Sequence, residues 1–277
     1  MSARRLVVPA LVAIATAAAG ACSEIGTDPS AAVSIRFDTL PAAAIVQGDS
    51  LRDSLGFPAP VTATAFNAAG DTVRGASFTF LARDTTNALT VDPGGAFIIA
   101  RNGTARATDV DLQASMGSLQ FTRRLAIVPT PDSLAGPTAD IVPALILAPD
   151  TVTLRRKNLS SSFSARVLHD TTPEPTGVRS WRVDFAVTAL PDSLLDSVRV
   201  VDATGAFVSS ATTGSDGGAA VQLRLYPKPG LANGLSRDSV IVSASTVYKP
   251  DTPVGGSPVR IVVPFALCVG PTAGCNP

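Results

Sequence analysis

Aromatic residues make up only 5% of this chain, with one tryptophan, two tyrosines and a single histidine. That scarcity narrows the chemistry. Sugar recognition commonly stacks a ring face on an aromatic platform, and beyond phenylalanine only Trp181, Tyr226 and Tyr248 can offer one. Tyr226, between Leu225 and Pro227, is the candidate most open to solvent. His169 stands beside Asp170 at the end of an expected strand, so a Ser-His-Asp hydrolase is formally open. No Gly-x-Ser-x-Gly elbow precedes a helix, however, and no helical stretch supplies an oxyanion hole. The alternative makes His169 an exposed residue at a loop edge.

Charge of one sign is also missing. The 22 basic residues balance 22 acidic ones, and lysine occurs only at Lys157, Lys228 and Lys249. Nucleic-acid binding needs a clustered basic face, so no nucleic-acid partner is expected. No apolar run reaches the roughly 20 residues of a membrane-spanning helix; Leu6 to Ala19 gives about 14. Cysteine is confined to Cys22, Cys268 and Cys275.

What is present begins with Arg4 and Arg5, the apolar run, and the small residues Ala19-Gly20-Ala21 before Cys22. Positive, apolar and small in that order is the secretory signal pattern. The end of the run resembles the lipobox of bacterial lipoproteins, with Ala19 where that family prefers Leu. The resemblance implies cleavage after residue 21, lipidation of the Cys22 thiol and acylation, with palmitate or a similar chain, of the new amino group. Two or three acyl chains anchor stably where one does not. Ser23 in place of Asp after the cysteine implies, by the same resemblance, the outer membrane. Ordinary signal-peptide cleavage is the alternative.

Loss of residues 1–21 leaves 256 of the 277 residues, enough for two sizeable cores. With Cys22 lipidated, Cys268 and Cys275 form the remaining pair in an oxidising compartment. A disulfide between them closes a loop of about eight residues, worth about 2.5 kcal/mol in the chain-entropy picture. Two thiols alone do not complete a tetrahedral zinc shell. No cofactor is expected. Asp109 and Asp111 fall on the same side of an extended chain, and Asp216 lies in a Gly-rich turn; these are the candidates for calcium, which takes six to eight oxygens. Their spacing is not that of a dedicated calcium loop, and a solvated surface is the alternative.

Residues 22–32 are small and polar and read as a tether. From Val33 onward the hydrophobic period is two. Val33-Ile35-Phe37, Val61-Ala63-Ala65, Phe78-Phe80, Val91, Phe97 to Ile99, Leu112-Ala114 and Leu119 to Ile127 mark strands of a first domain, 33–129, with a phase slip at Arg123-Arg124 that predicts a bulge or a ladder end. Residues 130–142 have linker chemistry. The second domain, 143–266, opens with Leu145 to Leu147 and Val152 to Leu154. It continues through Phe163 to Val167, the unbroken Trp181-Val183-Phe185-Val187, Val198 to Val201, Val221 to Leu225, Val240 to Ala244 and Val259 to Phe265, before a tail at 267–277. Asp-Ser/Thr-aliphatic recurs, as in Asp49-Ser50-Leu51 and Asp150-Thr151-Val152, and reads as turn exit followed by an inward-turning strand. Short strands separated by Gly, Pro, Asn and Asp, without helical periodicity, predict antiparallel sandwiches.

Thr213-Gly214-Ser215-Asp216-Gly217-Gly218 feeding Ala219 to Leu223, with Val240-Ile241-Val242-Ser243-Ala244 after it, resembles the invasin and intimin type of bacterial Ig-like domain. The first domain is similar to group-2 bacterial Ig-like repeats through Val91, Gly95-Ala96-Phe97 and Arg101 to Ala105. The resemblance implies an all-β chain of two tandem antiparallel Ig-like β-sandwich domains; the chain departs from it in long insertions around Pro191 to Leu195 and Tyr226 to Arg237, and because neither domain has paired core cysteines, Trp181 is expected to pack on aliphatics. The expected function is that of a non-catalytic, lipid-anchored cell-envelope protein, held to the membrane by its lipid. Its domains would serve adhesion, spacing or binding of a protein or cell-surface partner. The alternatives are a periplasm-facing accessory subunit of an outer-membrane assembly or transport complex, and a hydrolase using second-domain loops.

Overall fold

Two-residue periodicity builds strands because it puts every second side chain on one face. Apart from one helical turn, α1 (Val152–Arg155), every regular element among the described residues is a β-strand. The structure is a computed structural model and describes residues 31–83, 87–92, 96–102 and 108–270.

In the C-terminal half, one sheet has the order β12 (Thr176–Gly177), β11 (Phe163–His169), β16 (Gly218–Pro227), β14 (Leu195–Val201), with β9 (Ser133–Ala135) also on β11. The other runs β10 (Ala144–Ala148), β18 (Val259–Val269), β17 (Gly234–Ser245), β13 (Arg182–Ala189), β15 (Ser210–Thr212). The order β9-β11-β16-β14 in one sheet and β13-β17-β18 in the other is that of an immunoglobulin-type sandwich. Phe163 and Phe185 meet edge to face between the sheets at 6.5 Å. Val167, Val183, Leu223, Val240, Val242 and Val263 are fully buried around them. Each such side chain contributes about 1.5–3 kcal/mol by leaving water.

The N-terminal strands repeat the plan. The order β2 (Ala44–Val46), β8 (Leu119–Val128), β7 (Thr108–Met116), β4 (Thr79–Arg83) parallels β10-β18-β17-β13, while β1 (Ser34–Phe37) pairs with β3 (Ala63–Phe66), and β5 (Leu89–Val91) with β6 (Ile98–Ala100). Two pairs depart from the antiparallel expectation: β2 runs parallel to β8 and β10 parallel to β18.

Two compact units divide the described residues: one holds 31–36, Ala63–Thr79 and Ala114–Phe121, the other Phe37–Thr62, Phe80–Gln113 and everything from Thr122. In the smaller unit Asn67 closes the 67–71 turn through its side-chain oxygen, which accepts from Ala69 and Asp71, and Arg36 lies over the Phe66 ring at 5.2 Å. In the larger unit a single cluster of buried side chains takes in Ala44 and Val46 of β2 and Ala126 and Val128 of β8 together with the C-terminal sandwich core. The intervening Ile45, Leu125 and Ile127 are also buried, so both faces of this strand pair are covered.

That covering explains the phase slip. β8 runs unbroken from Leu119 to Val128; Arg123 and Arg124 are exposed, and four consecutive buried residues follow because water reaches neither face. Other expectations are corrected. Within residues 130–142, which carry linker chemistry, Ser133–Ala135 forms β9, hydrogen-bonded to β11. Val152 is 75% exposed and starts α1 instead of a strand, having no buried face to turn toward. In the stretch near Tyr226 to Arg237 only residues 228–233 lie between β16 and β17, the rest belonging to those strands, and Pro191 to Leu195 is a tight turn in which the Pro191 carbonyl accepts from Leu194 and Leu195. β13 shifts register between Val187 and Ala189.

The outer side of β10 is closed by one side chain. Asn158, fully buried, accepts from the Leu147 N–H at 3.0 Å and donates to the Leu147 carbonyl at 3.2 Å, standing in for a neighbouring strand. Its own carbonyl accepts from Leu225 of β16, so it staples the two sheets.

Candidate functional site

The densest polar cluster centres on Asp49. Its carboxylate accepts from Arg52 Nε (3.0 Å) and Nη2 (2.9 Å), from the Tyr248 hydroxyl (2.7 Å) and from the Ser50 N–H (2.8 Å), with Lys249 Nζ at 3.2 Å. Burial alone would raise the Asp49 pKa, but these donors and cations outweigh it and hold the carboxyl far below its ordinary 3.8. Burial, and then the hydrogen bond and charge of Asp49, push the Tyr248 hydroxyl well above its ordinary 10.0, against a smaller opposing pull from Arg52. Lys249 Nζ sits 4.8 Å from the Tyr248 ring centroid and Arg52 Cζ 5.9 Å from it, adding cation–π attraction.

Local sequence places each member. Gly48 takes φ +76° and turns the chain into Asp49; a Cβ there would overlap the Asn102 side chain. Arg52 Nη1 donates to the Gly56 carbonyl at 2.7 Å, and Asp53 Oδ1 accepts from Leu55 and Phe57, fixing a tight loop with Gly56 against the Tyr248 and Lys249 backbone. Tyr248 follows the end of β17.

A cavity of about 230 Å³ opens beside this cluster, lined among others by Leu40, Ser50, Arg52, Ser180, Trp181 and Tyr248. Trp181 meets Tyr248 edge to face at 6.2 Å, not aliphatics alone. Its Nε1–H donates to Thr246 Oγ1, which donates to the Arg182 carbonyl; the Trp181 N–H donates to Thr213 Oγ1, which donates to the Val178 carbonyl. Buried threonines thus tie the wall to the neighbouring backbone. Arg182 pairs with Asp184 at the rim, 2.7 Å through Nη2 and 2.8 Å through Nε.

The residues singled out in sequence lie elsewhere. His169, at the end of β11, places Nδ1 at 2.6 Å from Asp132 Oδ2 and 3.0 Å from the Thr130 carbonyl, so its acidic partner is Asp132 and not the adjacent Asp170. Asp170 instead accepts from Ser133 Oγ at 3.4 Å. Asp109 pairs with Arg179 at 2.7 Å and Asp111 with Arg124 at 3.7 Å. Asp216 accepts from the Gly218 N–H and closes its own turn. Among the described residues no three His, Cys, Asp or Glu gather as a metal site would require. Tyr226 is half-buried beside a second groove with Lys228 and Asp196. Cys268 is buried on β18. Cys22 and Cys275 lie outside the described residues.

Sequence reasoning missed Asp49 and Arg52 as a pair with Tyr248. Asp49-Ser50-Leu51 did mark a turn exit, since Asp49 Oδ1 accepts from Ser50 and Leu51 is fully buried, but nothing local signals a partner 199 residues away.

No protein-family profile matches the chain, and no curated protein matches it. Among solved structures it is similar to human protocadherin-24 EC1-2, at 11% identity and a TM-score of 0.27, over 87% of this chain and 99% of that one. It is also similar to domains 1–6 of the surface layer protein SbsC, at 13% identity and a TM-score of 0.29, over 87% of this chain and 28% of that one. A third is the Yersinia pseudotuberculosis adhesin InvE, at 12% identity and a TM-score of 0.26, over 84% and 58%.

Proposed function

We propose that this chain is a non-catalytic, exported module of the cell envelope, anchored by lipid at Cys22, that transmits force as an adhesion or spacer element. The supporting observation is the pairing of an early strand in each half with that half's last strand in parallel, Ala44↔Ala126 to Val46↔Val128 and Ala144↔Phe265 to Ala148↔Val269. In a parallel pair the chain enters one strand and leaves the other at opposite ends. Tension along the chain then loads all the rungs together in shear, and they do not peel one at a time. A Cys268–Cys275 disulfide would close the tail immediately beyond β18.

Single-molecule pulling from the two chain ends tests this. A variant carrying Ile146→Pro, which puts a residue without N–H into β10, is expected to unfold at clearly lower force than the natural chain while His169→Ala is not. Equal forces for the natural chain and the proline variant would overturn the force-transmitting role. The anchor is tested separately: Cys22→Ser is expected to move the protein from the membrane to the soluble fraction, and retention in the membrane would remove the lipid from the reading.

A further inference from the structure

Aromatic side chains are scarce in this protein, yet the only tryptophan and one of its two tyrosines converge on one cavity. We propose that the cavity beside Asp49 is a binding site for a single neutral sugar ring. Its volume of about 230 Å³ exceeds the roughly 150 Å³ that takes benzene and falls short of the roughly 300 Å³ where sites for larger ligands begin. One ring is therefore the size that fits.

The charges at the site argue against an anionic ligand. Arg52, Arg182, Asp53 and Asp184 all line it, two of each sign. The arginines are already bonded to carboxylates, Arg52 to Asp49 and Arg182 to Asp184. Among the described residues Asp53 Oδ1 accepts only from the Leu55 and Phe57 N–H groups, so an incoming anion would find no unmatched cation and would lose its hydration.

The polar groups left over call for hydroxyls. Ser50, Ser54 and Ser180 line the cavity, and their hydroxyls have no hydrogen-bond partner among the described residues. A serine hydroxyl both donates and accepts, and an arginine–carboxylate pair presents a donor and an acceptor side by side. Vicinal diols match that arrangement, while Leu40, Pro41 and Val247, also in the lining, offer apolar contact to the C–H face of a pyranose. Ser180 is held at φ +56°, a conformation unusual for a residue with a Cβ, by its N–H bond to the Thr213 carbonyl. Such strain is maintained where surroundings over-determine it, often at ligand sites. The inference stands apart from the force-transmitting role, and either can fail alone.

The test is titration of the purified full chain with D-glucose, D-galactose and N-acetyl-D-glucosamine, each also as its methyl glycoside, with cyclohexanol as an apolar one-ring comparison. Trp181 is the only tryptophan, so its emission reports the cavity directly. At least one sugar is expected to give a saturable emission change with a millimolar Kd. Binding should weaken about tenfold in the Ser50→Ala/Ser54→Ala variant, at an unchanged melting temperature. Binding of the methyl glycoside identifies the end of a glycan as the source; binding of the free sugar alone identifies a monosaccharide. Absence of a saturable change for every sugar up to about 50 mM, well beyond the millimolar range, overturns the proposal. So does a response to cyclohexanol alone, or sugar binding indifferent to loss of both serine hydroxyls.

Discussion

The Tyr248 hydroxyl donates to the Asp49 carboxylate at 2.7 Å across 199 residues of sequence. Through it the segment carrying β2 is joined to the end of β17 by a charge-assisted hydrogen bond, in addition to shared apolar packing. Arg52 and Lys249 reinforce the same carboxylate from the two sides of that join.

Tyr248→Phe removes one donor and keeps the ring against Trp181. A hydrogen bond to a charged group is worth about 2 kcal/mol, and that loss is expected in denaturant unfolding. Asp49→Ala leaves Arg52, Lys249 and Tyr248 without their common acceptor and should cost about 3 kcal/mol, at the low end for a broken buried pair because Lys249 retains access to water. In the double variant the costs should fall short of their sum. Strict additivity would show that the two side chains do not act as a unit.

Stability should be flat across neutral pH and fall at both ends. Asp49 is depressed below its unfolded value of 3.8, so its contribution is complete above that value and is lost as pH falls toward the lower folded value. Tyr248 is raised above 10.0, so its contribution is complete below pH 10 and is lost as pH rises toward the higher folded value. Melting temperatures of the natural chain and of Tyr248→Phe, measured from pH 3 to 11, check this: the variant should lose part of the alkaline decline.

Gly56→Ala and Gly70→Ala separate backbone strain from crowding. Both glycines have positive φ, +84° and +85°. A Cβ at Gly70 meets nothing within 4 Å, so only the left-handed conformation is penalised, by about 1 kcal/mol. At Gly56 the Cβ would lie 2.9 Å from the Tyr248 carbonyl oxygen and 3.0 Å from Lys249 Cα, both backbone atoms that cannot swing away. Gly56→Ala is expected to be the more destabilising in thermal melts and to weaken the Asp49 cluster as well.

The strands of the C-terminal half were legible because Trp181 to Val187, Val221 to Leu225 and Val259 to Phe265 alternate cleanly, and one buried face is all that alternation requires. β2 was not legible: Ala44, Ile45 and Val46 are all buried, and a strand covered on both faces shows no alternation. α1 was misread because Val152 and Thr151 favour strands locally while the position offers no ladder to join. The cavity escaped for a different reason. Its lining comes from three separated stretches, around 39–54, 180–184 and 247–248, and each taken alone is an ordinary turn or strand end.

Asn158→Leu keeps a buried side chain of similar size but strands the Leu147 N–H and carbonyl. Two unmatched backbone groups should cost about 2–4 kcal/mol in denaturant unfolding. Asn158→Asp preserves the acceptor for the N–H and opposes the carbonyl with a second acceptor, so its loss should be of similar size or larger. A change below about 0.5 kcal/mol for Asn158→Leu, the range of ordinary surface substitutions, would show that β10 does not depend on this staple.

The covered faces of β2 and β8 bear on how such a chain can grow or be shortened. Domains strung like beads multiply by copying one bead, since each carries a complete interior. Here Ala44, Val46, Ala126 and Val128 complete an interior whose remainder is encoded after residue 130. A duplicated C-terminal half would arrive with a socket and no plug, and a chain cut at 130 would expose an apolar seam to water. The two stretches thus share one interior, and a copy of either alone would leave apolar surface uncovered.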